Sequence, residues 1–266
     1  MTDTAPADHV IGLARNNALG AFLRARREAV QPSTVGLPAD RGRRTPGLRR
    51  GELAMLAGVS VEYLTRLERG ADRRPSPQVL GALAGALQLT DDERVHLLRL
   101  AKALDGDGTA CSTSTPPPPR PALVTLMDQL ARTPAVILDR AGGILARTPR
   151  FPDLCPSDVR NVPRFVFTDP RARDTFPDWD SVADEWAVRL RAATELGDPQ
   201  ARLLATEFAL RARGDFVPRY ERATRVPAWT GAERWTQPDG VTRTWAYEAL
   251  GLPETDEHRL LVYLPA

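Results

Sequence analysis

The chain is 266 residues long, 42% hydrophobic and 26% charged, with a formal net charge of only +2. That length allows one large or two ordinary domains, each with its own core. Its two cysteines, Cys111 and Cys155, lack metal-ligand spacing, no apolar stretch approaches eighteen residues, and the N-terminus has no signal-type apolar core, so reduced thiols and a cytoplasmic protein are expected, and neither export nor a membrane span is.

Residues 1–15 are expected to be disordered. Leu19, Phe22 and Leu23 then form an apolar stripe on a helix that runs to about Val30, where Pro32 stops it. A polar loop with Gly36, Pro38, Gly42 and Pro46 follows. In residues 52–70, E-L-A-M-L-A-G-V-S-V-E-Y-L-T-R-L-E-R-G, the apolar positions Leu53, Leu56 and Ala57, and then Leu64 and Leu67, recur at helical spacing. Between the two sets Gly58 can take left-handed angles, Val59 can bury, and Ser60 can cap the next helix. Glu62 and Glu68 are expected on the outer side. This is the spacing of a helix-turn-helix, whose second helix enters the major groove of DNA. An ordinary helical corner is the competing reading.

Charge favours the nucleic-acid reading. Between Phe22 and Ser76 there are twelve arginines and six acidic residues, in clusters such as Arg41-Arg43-Arg44, Arg49-Arg50 and Arg73-Arg74. Arginines that neutralise phosphates release counterions and supply sequence-independent affinity. Ser60, Val61, Glu62, Tyr63 and Arg66, on the first turns of the second helix, are the candidate base readers, with Arg66 matched to guanine and Glu62 to cytosine. Arg43, Arg44, Arg49, Arg50, Arg73 and Arg74 are the candidate phosphate contacts. Two further helices carry Val79, Leu80, Leu83 and Leu87, then Leu97, Leu98 and Leu100.

The stretches L-G-A-F-L-R-A-R-R (19–27), G-R-R-T-P-G-L-R-R (42–50), the helix-turn-helix itself and R-P-S-P-Q-V-L (74–80) resemble the lambda-repressor-type, or xenobiotic-response-element, regulators of the MmyB-like group. The resemblance implies an all-α, five-helix DNA-binding domain, placed at 16–104.

Residues 105–121, D-G-D-G-T-A-C-S-T-S-T-P-P-P-P-R-P, have almost no large apolar side chains and read as an extended linker. Beyond it lie all five tryptophans. Ala135–Leu138 and Ile144–Ala146 read as two strands joined by a glycine turn, while Trp245 and Tyr247 share one face of a later strand and Leu260 to Leu264 form a last one. Helical spacing holds for Val182, Trp186, Leu190 and Ala193, and for Ala201, Leu204, Ala205 and Phe208. An α+β domain is therefore expected at 122–266.

Residues 160–179, R-N-V-P-R-F-V-F-T-D-P-R-A-R-D-T-F-P-D-W, resemble a segment of the MmyB-type ligand-binding domain. This likeness implies a PAS-like fold and an apolar pocket for a small lipophilic effector. Phe165, Phe167, Trp186, Phe208, Trp245, Tyr247 and Tyr263 are nominated as its lining on that analogy. Where the family usually carries L-A-W-N this chain reads Leu145-Ala-Arg-Thr148, which makes Arg147 a candidate partner for an anionic group.

With only His9, His96 and His258, and no nucleophile, phosphate-loop or metal motif, catalysis is not expected, nor is a cofactor or a metal. His258 is expected to be exposed, and Asp178, Asp180, Asp184 and Glu185 to lie on solvated faces. The expected function is a sequence-specific DNA-binding regulator acting as a homodimer on double-stranded DNA, its second domain sensing the effector. The alternative is a second domain that is a ligand-free interaction and dimerisation module.

Overall fold

The computed structural model describes residues 17–38, 47–72, 74–105, 117–252 and 258–266. These form two compact units, 17–105 and 117–266, the turn Glu195–Gly197 apart. Residues 1–15, expected to be disordered, lie outside the described residues.

The first unit holds helices α1 (Ala18–Ala29), α2 (Arg50–Ala57), α3 (Val61–Glu68), α4 (Pro77–Ala86) and α5 (Asp91–Asp105), with a 3-10 turn at Pro32–Val35. The break between α2 and α3 is built as its residues require. Gly58 has φ +65°, and Ser60 Oγ accepts from the backbone N–H of Tyr63 at 3.1 Å. At the start of α5, Thr90 and Glu93 cap each other: Thr90 N–H donates to the Glu93 carboxylate at 2.9 Å, and Glu93 N–H to the Thr90 hydroxyl at 3.3 Å. Leu19, Leu23, Leu53, Leu64, Leu67, Leu83 and Leu97 are buried.

Two positions differ from the sequence reading. Leu56 is 38% exposed, because Leu53, Ala54 and Ala57 set the buried side of α2 and turn residue 56 away from it. Glu68 is buried rather than outward, for the reason given under the functional site.

In the second unit a helix α6 (Pro121–Gln129) precedes strands β1 (Ala135–Leu138) and β2 (Ile144–Arg147). Helices α7 (Val162–Thr168), α8 (Arg171–Thr175), α9 (Trp179–Glu195), α10 (Pro199–Arg211) and α11 (Arg213–Arg222) follow, then strands β3 (Thr230–Thr236), β4 (Thr242–Gly251) and β5 (Arg259–Pro265). The sheet is antiparallel throughout, in the order β2-β1-β5-β4-β3, so the first and last strands of the unit are neighbours. Its α+β layout is the one implied by the PAS-like resemblance.

The two faces follow from strand alternation. Val136, Leu138, Trp235, Tyr247, Ala249, Leu261 and Tyr263 turn inward to the main core, shared with residues from α7, α9, α10 and α11. Ala135, Ile137 and Leu260 turn the other way and pack with Leu123 and Met127 of α6. Neither α6 nor β3 was foreseen. Helix α6 begins at Pro121, the last residue of the expected linker, of which residues 106–116 lie outside the described residues. Strand β3 carries Glu233 on its inward face, which breaks the apolar alternation that would have announced it. His258, expected to be exposed, is 3% exposed beside β5.

Helix α1 crosses the end of α3 at Gly20, where an added Cβ would lie 2.5 Å from the Glu68 carbonyl and 2.6 Å from that of Leu67. Backbone atoms cannot yield there as a flexible side chain could. Gly20→Ala should therefore destabilise the first unit by about 1–3 kcal/mol, read as faster amide exchange in α1 and α3 with the sheet amides unchanged.

Candidate functional site

The exposed start of α3 is the candidate reading surface. Ser60, Val61, Glu62 and Arg66 are exposed and Tyr63 is half-buried, so the nominated residues occupy one accessible turn and a half. Arg66 leans over the Tyr63 ring, 5.8 Å from its centre, with the Asp72 carboxylate 3.9 Å away. Arg49 and Arg74 are exposed on either side of the motif in sequence. Arg43, Arg44 and Arg73 lie outside the described residues.

What holds α3 in place is a buried ion pair. Glu68, at the last turn of the helix, accepts from Arg27 Nε of α1 at 2.6 Å, and the two side chains are 1% and 4% exposed. Arg27 also donates to the Leu48 carbonyl at 2.8 Å. A charge so deep in the protein must be paired and hydrogen-bonded, which is why Glu68 turns inward. Arg50, one of the candidate phosphate contacts, joins this network through Nε to Glu68 at 2.7 Å while remaining 41% exposed. Its side chain is thus braced against the recognition helix.

The nominated aromatic residues of the second unit share one core, but they gather in two places. Phe167 packs on Phe208 and Phe216, at 5.3 and 5.0 Å between ring centres, within the helices. Tyr263 packs with Tyr247 and Trp235 on the sheet, at 6.2 and 5.6 Å. Phe165 stacks toward Phe176 at 6.1 Å. Trp186 is buried, and Trp245 is half-buried against the same core.

Beside the sheet rings lies a polar cluster that the sequence reading missed. Arg189 is buried in α9 and donates through Nε to Glu185, one helical turn earlier, at 3.0 Å, and through Nη2 to the Ala228 carbonyl at 3.0 Å. Glu185, read as solvated, is instead 8% exposed: it accepts from Ala228 N–H at 3.0 Å and pairs with Arg225 at 2.6 Å. The pair thereby ties α9 to the segment entering β3. Across from it, Glu233 accepts from Trp235 Nε1 at 3.1 Å. Glu233 keeps some exposure as a residue, yet desolvation of its carboxyl, opposed by Arg189 and the Trp235 N–H, raises its pKa to about 7. The i to i+4 spacing of Glu185 and Arg189 was the one sequence signal for this cluster.

The segment 160–179 turns out to be framework. Asn161 caps α7 by accepting from Arg164 N–H at 2.9 Å and donates to the Ala141 carbonyl at 3.2 Å. Arg171 forks between Asp158 and Asp169, and Arg164 pairs with Glu207 at 2.6 Å. Asp158, Asn161, Arg164, Asp169 and Arg171 line an open cleft of about 380 Å³ whose arginines are largely engaged. Arg147, a candidate anion partner, donates to the Ser157 carbonyl at 2.6 Å and so braces the chain after β2. Asp178, Asp180 and Asp184 pair with Arg234, Arg219 and Arg219 respectively. Cys155 is buried, which pushes its thiol up to about 12.

Residues 18–97 match a helix-turn-helix domain family, and residues 119–266 match the family described as the MmyB-like transcription regulator ligand binding domain. The chain belongs to the MmyB-like transcription regulators. A search of curated proteins returns no match. The helix-turn-helix domain therefore precedes the ligand-binding domain along the chain. No described helix is long and apolar enough to cross a membrane.

Two variants of this MmyB-like regulator probe the buried charges. Glu68→Ala leaves Arg27 buried without its partner and should cost about 3–5 kcal/mol, measured by chemical unfolding of the full chain. For Glu233 the folded carboxyl holds its proton more tightly than the unfolded one, so its contribution to stability is full below pH 4.5 and is lost as pH rises through about 7. Glu233→Gln should consequently gain in melting temperature relative to wild type between pH 5 and pH 8, and a difference that stays flat with pH would contradict the assignment.

Proposed function

We propose that this regulator binds a specific DNA sequence as a homodimer in the cytoplasm and that its second unit senses a small effector, with no catalytic role. The supporting observation is the exposed N-terminal turn of α3, capped by Ser60 and held by the Glu68–Arg27 pair at its other end. Ser60, Val61, Glu62, Tyr63 and Arg66 act as base readers in this reading, Arg66 on guanine and the Val61 side chain on a thymine methyl. Arg49, Arg50 and Arg74 meet phosphates, as do Arg43, Arg44 and Arg73. Domain limits of 16–104 and 122–266, with a linker between, belong to the same proposal.

One such domain covers little of a duplex. Two recognition helices about 34 Å apart on a near-palindromic site supply the affinity a regulator needs. The effector reading is supported by the matched ligand-binding domain and by the sheet rings Trp245, Tyr247 and Tyr263 beside a polar cluster. Close packing of Phe167, Phe208 and Phe216 favours instead a structural role for those rings, as in an interaction module.

Titrations over a panel of operator variants test the DNA assignment. Arg66→Ala should lose about 1–3 kcal/mol at one base position and relax the preference there, whereas Arg49→Ala should weaken all sequences alike and reduce the salt slope by about one. Identical behaviour of the two variants would overturn it. Operator affinity measured with and without each member of a set of amides, fatty acids and aromatic metabolites tests the sensing: a change of about five- to 150-fold is expected for a true effector.

A further inference from the structure

Helix α3 ends in a turn that folds the chain back along the helix. Gly70 takes a φ of +71°, its N–H donates to the Leu67 carbonyl at 3.0 Å, and the N–H groups of Ala71 and Asp72 both donate to the Arg66 carbonyl, at 2.9 and 3.3 Å. This is a left-handed glycine cap, in which carbonyls left over at a helix end are satisfied by the chain that leaves it. Its consequence lies in the side chains. The cap returns residue 72 to residue 66, and the Asp72 carboxylate stands 3.9 Å from the Arg66 guanidinium.

Arg66 is thus flanked by two groups. The Tyr63 ring, one helical turn earlier, lies with its centre 5.8 Å from the guanidinium carbon, and Asp72 attracts the same cation. Burial, and then the Asp72 charge, hold the Tyr63 phenol above its usual pKa, so the ring stays neutral beside the cation. An exposed arginine samples many rotamers, whereas its planar fork reads O6 and N7 of guanine in one orientation only. At 3.9 Å the carboxylate attracts the guanidinium but is too distant to take a hydrogen bond from it, which leaves the N–H donors to a base. In water an exposed pair of this kind adds little to stability. Against a duplex, with water displaced, the same attraction is stronger. A carboxylate there also repels phosphate, so it lowers overall affinity unless it serves the arginine.

We propose that Asp72 is a positioning residue for base reading: with the Tyr63 ring it holds the Arg66 fork in the orientation guanine requires, so that discrimination rises at one base pair while overall affinity falls. Asp72 itself touches no base. The inference rests on the assignment of Arg66 as a guanine reader made above.

Selection of the full chain against a randomised duplex pool gives the operator, and titrations of its single-base variants at fixed salt read the preference at each position. Arg66→Ala marks the guanine by losing preference there alone. Asp72→Asn, nearly identical in shape, should reduce the preference at that same position about three- to tenfold, leave the other positions unchanged, and bind unrelated duplex no more weakly than wild type. On the Arg66→Ala background, Asp72→Asn should have no further effect at that position. An Asp72→Asn protein that keeps the full preference, or that changes all sequences alike, overturns the positioning role. The reading of Arg66 fails on a different result, an Arg66→Ala protein that keeps every base preference or a pool from which no sequence is enriched, and takes the inference with it.

Discussion

A charge taken out of water must find an opposite charge and hydrogen bonds within the protein, and both units of this regulator are organised by that requirement. In the first, Glu68 at the end of α3 is compensated by Arg27 from α1 and Arg50 from α2. In the second, Glu185 and Arg189 on α9 compensate each other and hold the backbone at Ala228. Remove either pairing and a buried ion is stranded, so each works as a clamp between elements distant in sequence.

The clamp in the first unit has a direct consequence for reading DNA. A recognition helix discriminates between bases only if its side chains are presented at a fixed angle. Helix α3 is eight residues long, too short to be stable by itself. Its C-terminal end is held by the Glu68 pair and by the close crossing of α1 at Gly20, its N-terminal end by the Ser60 cap. The free surface that remains is the turn carrying Val61, Glu62 and Arg66. Arg50, braced on Glu68, links that fixed helix to α2.

In the second unit the sheet brings the two ends of the domain together: β1 pairs with β5 in register from Ala135 to Leu138, and β4 and β3 extend the sheet outward. Its inward face then mixes aromatic rings with Glu233, which accepts from Trp235 Nε1. The segment replacing L-A-W-N is used locally. Thr148 accepts from Ala135 N–H at 2.9 Å and donates to the Thr133 carbonyl at 2.7 Å, which pins the start of β1, and Arg147 ties down the chain that follows.

Local chemistry determined much of the protein from the sequence alone. Gly58 and Ser60 announce the helix break, because left-handed angles and hydroxyl capping are properties of single residues. Apolar spacing locates α9 and α10, and strict alternation locates β4, since periodicity survives without knowledge of the partner. Glu68 was misplaced for the opposite reason: whether a carboxylate faces water or an arginine forty-one residues away is decided by packing, and no local pattern encodes it. Strand β3 escaped notice because its inward Glu233 is tolerated only once Trp235, Arg189 and the β4 partner Trp245 surround it. Tertiary structure alone decides which polar groups are buried and what stands opposite them, because burial energies depend on neighbours that the chain supplies from far along its length.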